Sequence, residues 1–215
     1  DGSLVHDLIL GEGTMYHPGG IDFDGEYIWV SVAEYRPNSQ SIVYKIDPET
    51  MRALEVFRFS DHLGAILKDP ESGTLYGISW GARKFYQWTI NINEDENIDT
   101  QQSEYLADSA VMRPNRLHYI DYQDCQWLAP HNILCSGVNT YSNDGLDRVK
   151  LGGIELLDLP SFRVTMQLPV TKMTDTGAVL TQNPFYFETN TAQENFMHFV
   201  PEDDSSTLFS YRVIP

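Results

Sequence analysis

Two histidines, His17 and His62, stand 45 residues apart, each at the head of an apolar run. A neutral imidazole ligates a metal or takes a proton near neutral pH, so an equivalently placed pair is a candidate for catalysis or ligation. The plainer alternative is that both rings hold adjacent strands through backbone hydrogen bonds. Glu34 closes an apolar run and is followed by Tyr35 and Arg36. Its carboxylate could serve as base or cation ligand, or simply pair with Arg36. Trp80 and Arg83 flank Gly81-Ala82, so a loop there would present a flat indole face and a guanidinium to a ligand.

Asn115 and Asn183 head later runs as His17 and His62 head the earlier ones, and Asn139 follows a second run as Glu34 does. The candidate catalytic set is therefore His17, His62 and Glu34. The candidate ligand contacts are Trp80, Arg83, Asn115, Asn139 and Asn183. A divalent cation such as calcium is compatible with these residue types, but no metal-ligand set can be assigned. Asp121, Tyr122, Gln123 and Asp124 alternate, which puts Asp121 and Gln123 on one strand face and Tyr122 and Asp124 on the other. A buried carboxylate among them needs a hydrogen bond, a partner or a cation. The acidic run at 202–206 has calcium-loop composition without EF-hand spacing and reads as a solvated hairpin turn. Trp29 and Trp88 sit inside apolar runs and read as core. No GxSxG, HExxH, Walker or Rossmann motif occurs.

The elements that must position these residues are strands. Runs rich in Ile, Val, Tyr, Phe and Trp recur every 10 to 15 residues. They are separated by turn chemistry at Asp24-Gly25, Asp47-Pro48, Ser72-Gly73 and Asn143-Asp144-Gly145. No stretch holds a helical period over three turns. The runs group into units at 17–59, 62–109, 115–170 and 181–213, and the 45-residue offset is the size of a four-stranded propeller blade. The pattern predicts one all-β domain, a β-propeller of about four blades within residues 1–215. The third unit carries an acidic insertion between Tyr141 and Lys150, and the fourth is one strand short. Residues 1–10 read as an outer strand of a preceding or closing blade, so the propeller is expected to be completed by a missing N-terminal portion or by another chain.

Cys125 and Cys135 flank the turn Ala129-Pro130-His131-Asn132. Facing positions of a hairpin lie within disulfide reach. The spacing predicts a Cys125–Cys135 bond and an oxidising compartment, with two buried thiols as the alternative. The composition narrows partners. Asp and Glu number 31 against 14 Lys and Arg, for a net charge of −17, which disfavours nucleic acid and anionic membranes. The 41% hydrophobic and 12% aromatic content supports a packed interior. No apolar run is long enough to insert in a membrane.

The run at 11–25, GEGTMYHPGGIDFDG, resembles a signature of a family of unknown function, secreted propeller-like proteins of fungi and actinobacteria. So do VAEYRP at 32–37, SWGARKFY at 79–86, YIDYQDCQ at 119–126 and FVPEDDSSTL at 199–208. The resemblance covers nearly the whole chain. It implies a longer parent with a further N-terminal blade, five blades in all or six, and brings no activity. His17-Pro18-Gly19-Gly20 is also similar to an entry motif of propeller lactonases and gluconolactonases, whose funnels hold a divalent metal, but that match is one motif deep and carries no catalytic residue over. Two functions follow as expectations. One is a secreted propeller that binds a glycan, small molecule or protein through its funnel and rim loops. The other is an extracellular hydrolase or lyase acting on a carbohydrate or lactone-like substrate.

Overall fold

The computed structural model describes residues 3–90, 100–117, 119–142 and 148–214. Among the described residues the chain is all-β apart from one nine-residue α-helix and a short 3-10 turn, and it forms two compact units, Asp1–Pro114 and Asn115–Pro215.

The first unit holds two antiparallel meanders. The first consists of β1 (Met15–Phe23), β2 (Ile28–Glu34), β3 (Ser41–Ile46) and β4 (Ala53–Phe59). The second consists of β5 (Leu63–Lys68), β6 (Thr74–Ser79), β7 (Lys84–Thr89) and β8 (Val111–Pro114). They join through a parallel contact of β1 with β5, giving the order β4-β3-β2-β1-β5-β6-β7-β8. The paired residues there, Gly20 and Ala65, differ by 45 positions, the same offset as His17 and His62. The sequence repeat is thus also the strand register.

A bulge at Pro18–Ile21 lets the two strands approach. A Cβ on Gly19 would fall 2.5 Å from the Gly64 carbonyl oxygen, so this contact admits only glycine. One apolar core draws on both meanders: Trp29, Val43 and Phe57 pack with Leu63, Ile66 and Trp88.

The turns fall where their residues predict, with Asp24-Gly25, Asp47-Pro48 and Ser72-Gly73 each linking consecutive strands. Asp24 and Asp47 accept backbone N–H bonds from residues two and three positions on, which closes those turns. Two readings need correction. Ser3–Leu10, expected as an outer strand, lies in no strand. Thr100–Asp108, where no helix was expected, forms α1; it is under three turns long and sinks Leu106 into the core.

The second unit holds a four-stranded meander, β9 (Asp121–Leu128), β10 (Asn132–Tyr141), β11 (Val149–Asp158) and β12 (Arg163–Val170). It also holds a three-stranded one, β13 (Phe185–Thr189), β14 (Asn195–Phe199) and β15 (Phe209–Val213). Leu134, Ile154, Leu180, Phe185 and Phe199 form its core. Cys125 faces Cys135 across the β9–β10 hairpin and the two are disulfide-bonded. The turn expected at Asn143-Asp144-Gly145, inside the acidic insertion, lies outside the described residues.

Candidate functional site

Four rings gather at one end of the first unit's strands. His17 lies near the start of β1, opposite Ala33. Tyr35 follows β2, His62 precedes β5, and Trp80 begins the short 3-10 turn after β6. The His17 ring lies 4.6 Å from Tyr35 and 6.0 Å from His62, centroid to centroid. Trp80 stands edge-on to both Tyr35, at 5.3 Å, and His62, at 4.8 Å. The cluster is graded in exposure, since Tyr35 is 62% exposed, His17 and Trp80 are half-buried and His62 is 3% exposed.

His62 is fixed by the chain on both sides of it. The Ser41 hydroxyl donates to the Asp61 carbonyl and accepts from the Leu63 N–H, both at 2.8 Å. The Asp61 carboxylate accepts the His62 N–H at 2.9 Å, the Lys84 ammonium at 2.8 Å and the Tyr86 hydroxyl at 2.7 Å. Burial pushes the Asp61 carboxyl up, but the bonds from Lys84, Tyr86 and His62 outweigh it and hold the carboxyl below its ordinary pKa. Burial and Asp61 in turn raise Tyr86.

The imidazole itself bonds through Nδ1 to the Glu34 carbonyl at 2.8 Å. A carbonyl only accepts, so Nδ1 carries the hydrogen and, in the neutral ring, Nε2 presents a lone pair. Burial lowers the His62 pKa, and the nearby His17 adds to the lowering against the opposing pull of the Glu34 carbonyl. Burial lowers His17 as well. Both rings are therefore neutral at neutral pH.

Glu34 reaches the same end of the sheet, but its carboxylate is already engaged. The Thr14 hydroxyl donates to Oε1 at 2.8 Å and Arg36 pairs with Oε2 at 2.5 Å. The ion pair with Arg36, one of the two roles open to Glu34 in the sequence, is present. Arg83 is exposed and donates to the Gly81 carbonyl of its own turn.

The asparagines belong to the second unit and make local bonds there. Asn115 accepts from the Leu117 N–H, and Asn139 from the Thr140 N–H. Asn183 donates to the Pro201 carbonyl and to Asp203. Asp124, on the buried face of β9 as the alternation predicts, accepts the N–H groups of Cys125 and Phe185. Among the described residues no three His, Cys, Asp or Glu side chains are gathered to hold a metal ion.

Sequence reasoning misses Ser41, Asp61 and Lys84, which build the site from beneath. Their signal is present: Ser41 opens a mostly apolar strand, and Asp61 directly precedes the histidine.

An all-β chain of consecutive meanders with an imidazole and aromatic cluster at its strand ends is the class so defined. The chain belongs to a family of unknown function, DUF6454, whose pattern spans residues 1–214. No curated protein matches it in sequence. Among solved structures, it is similar to an auxiliary nutrient binding protein from Bacteroides thetaiotaomicron VPI-5482, at 13% identity and a TM-score of 0.39, over 86% of this chain and 52% of that one. It is also similar to a chain in the S. cerevisiae structure of dbp5 bound to nup159 and gle1 with ip6 and adp, at 11% identity and a TM-score of 0.37, over 89% and 59%. The chain thus spans under two thirds of either one, and likenesses this distant decide neither fold nor function. No helix among the described residues is long and apolar enough to cross a membrane.

Proposed function

We propose that the chain is a secreted ligand-binding protein of β-propeller type, each meander a blade, and that it takes a glycan at the His17, Tyr35, His62 and Trp80 cluster. The blade reading is supported by the 45-residue register between β1 and β5 and by the run of four-stranded meanders. The Cys125–Cys135 bond supports an oxidising compartment.

The observation that carries the binding role is the four-ring cluster, graded from the exposed Tyr35 to the buried His62. Tyr and Trp offer apolar faces to a sugar ring, and neutral imidazoles offer donors and acceptors to its hydroxyls. Binding is favoured over acid and base chemistry because Thr14 and Arg36 already occupy the Glu34 carboxylate. A second reading, a hydrolase or lyase for a carbohydrate or lactone-like substrate, draws on the two neutral imidazoles 6.0 Å apart between ring centroids, which suit proton transfer.

The test is titration calorimetry of the full chain against neutral oligosaccharides identified on a glycan array. Trp80→Ala and Tyr35→Ala are expected to weaken binding at least tenfold, with the bound sugar recovered unaltered. Wild-type affinity in both variants would overturn the site, and conversion of the sugar would favour the enzyme.

A further inference from the structure

The second unit carries a group of side chains with chemistry of their own. Its three-stranded sheet β13-β14-β15 turns one face into the core through Phe185, Phe199 and their neighbours. Side chains alternate along a strand, so the residues between them make up the other face. The register sets Tyr186, His198 and Ser210 in one row across the three strands, and Glu188, Phe196 and Arg212 in the next. Tyr186, Ser210 and Arg212 are exposed on this face, and the other three are partly buried.

A serine, a histidine and a glutamate from three different strands are joined here by hydrogen bonds. His198 Nδ1 lies 2.8 Å from the Ser210 hydroxyl oxygen, and Nε2 lies 3.2 Å from Oε1 of Glu188. A carboxylate only accepts, so Nε2 carries the hydrogen. In the neutral ring Nδ1 then holds the lone pair and accepts from the Ser210 hydroxyl. That polarity suits removal of a proton from a serine nucleophile, with the carboxylate fixing the tautomer and stabilising the imidazolium that forms. The parts are held in place by their neighbours. Phe196 stacks on His198 at 6.3 Å between ring centroids. The Gln126 side chain bonds both the N–H and the carbonyl of Phe187 at 2.8 Å, which pins β13 beside Glu188. Arg212, two residues from Ser210 on the same strand face, pairs with Glu194 through one nitrogen at 3.0 Å, and a guanidinium has five N–H donors.

We infer that Ser210, His198 and Glu188 form an esterase site for aryl esters, with Ser210 as nucleophile, His198 as general base and then acid, and Glu188 as the group that orients His198. The site is separate from the ring cluster and acts independently of it. Because the face is open, the oxyanion is met by water and by the Arg212 guanidinium instead of desolvated N–H groups, each of which is worth roughly 10²–10³ in rate. An ester with a good leaving group therefore fits, and Tyr186 and Phe196 offer apolar faces to an aryl one. The Ser210 oxygen adds to the ester carbonyl carbon as its proton passes to His198 Nδ1. The bond from that carbon to the aryl oxygen breaks, and the phenol leaves with the proton. Water then attacks the acyl-serine, its proton passing through His198 to the Ser210 oxygen, and the carboxylic acid is released.

The probes are p-nitrophenyl acetate and diisopropyl fluorophosphate, used on the full chain. Hydrolysis of the acetate above the buffer rate is expected, with the phosphoryl group of the second probe found on Ser210 in peptide mass spectra. Ser210→Ala, at an exposed position, is expected to return hydrolysis to the buffer rate, and His198→Gln to lower it on the order of a hundredfold. Glu188→Ala is expected to lower it at least tenfold, and Glu188→Gln, which still accepts from Nε2, to restore part of the loss. Trp80→Ala, in the ring cluster, is expected to leave the rate unchanged. Undiminished hydrolysis in Ser210→Ala, phosphorylation at a residue other than Ser210, or no turnover above buffer would each overturn the assignment.

Discussion

Both units bury polar side chains, but they enclose them differently. In the first, the chain from Ser41 through Asp61 to His62 leads outward to half-buried His17 and Trp80 and exposed Tyr35. In the second, Glu155 is fully buried in the row that runs from Cys125 through Cys135 to Gln167. It accepts from the Tyr122 hydroxyl and the Gln167 amide, and burial with Glu155 nearby raises the Tyr122 pKa. A polar network that opens to the surface presents groups to a ligand. One whose donors converge on a single buried carboxylate, as Tyr122 and the surface residue Gln167 converge on Glu155, satisfies that group and specifies packing.

The largest expected effect tests that division. Replacing both cysteines, Cys125→Ala with Cys135→Ala, removes a cross-link that closes a loop of ten residues. The chain-entropy model puts its contribution at about 3 kcal/mol. Urea denaturation should show a loss of that order in the second unit, while on the proposed binding reading glycan affinity at the ring cluster stays at the wild-type value. Loss of binding in the folded double variant would mean that the Glu155 network also serves the site.

How much of this was legible in the sequence depends on the range of the interaction. Period-two patterns and turn residues are local, so the strands, the Asp24-Gly25 and Ser72-Gly73 turns and the facing cysteines could be read directly. The equivalence of His17 and His62 was legible because a repeat writes a long-range contact into the sequence as a constant offset, here realised as the pairing of Gly20 with Ala65. The partners of Glu34 and His62 carry no such mark. Thr14 reaches Glu34 from 20 residues away, and Lys84 reaches Asp61 from 23. Helix α1 escaped for the opposite reason, because one buried leucine anchors it without any sustained period.

A second test separates the units by acid. Burial lowers His62 and His17 from an ordinary value of 6.5. As pH falls below about 6.5 the unfolded chain takes up protons that the folded chain refuses, so stability drops. Asp24 and Asp61 are also lowered, from 3.8, and their stabilisation is lost in turn as pH falls through that range towards their folded values. Urea melts across pH should therefore show two stages of loss, and His62→Gln should diminish the first. An unchanged upper stage in that variant would mean that the cluster is not what couples folding to protons.

The smallest expected effect concerns the rim. Arg36 is 61% exposed in its side chain while Glu34 is 17% exposed. An ion pair that open to water contributes at most about 1 kcal/mol. Arg36→Ala should therefore leave stability nearly unchanged. It should matter more for chemistry, because it frees Oε2 of a carboxylate whose backbone carbonyl already holds His62. On the binding reading, the variant keeps its glycan affinity within a few-fold and gains no activity. If the freed carboxylate conferred turnover of the bound sugar, Arg36 would be the group that separates a binder from a catalyst at this site.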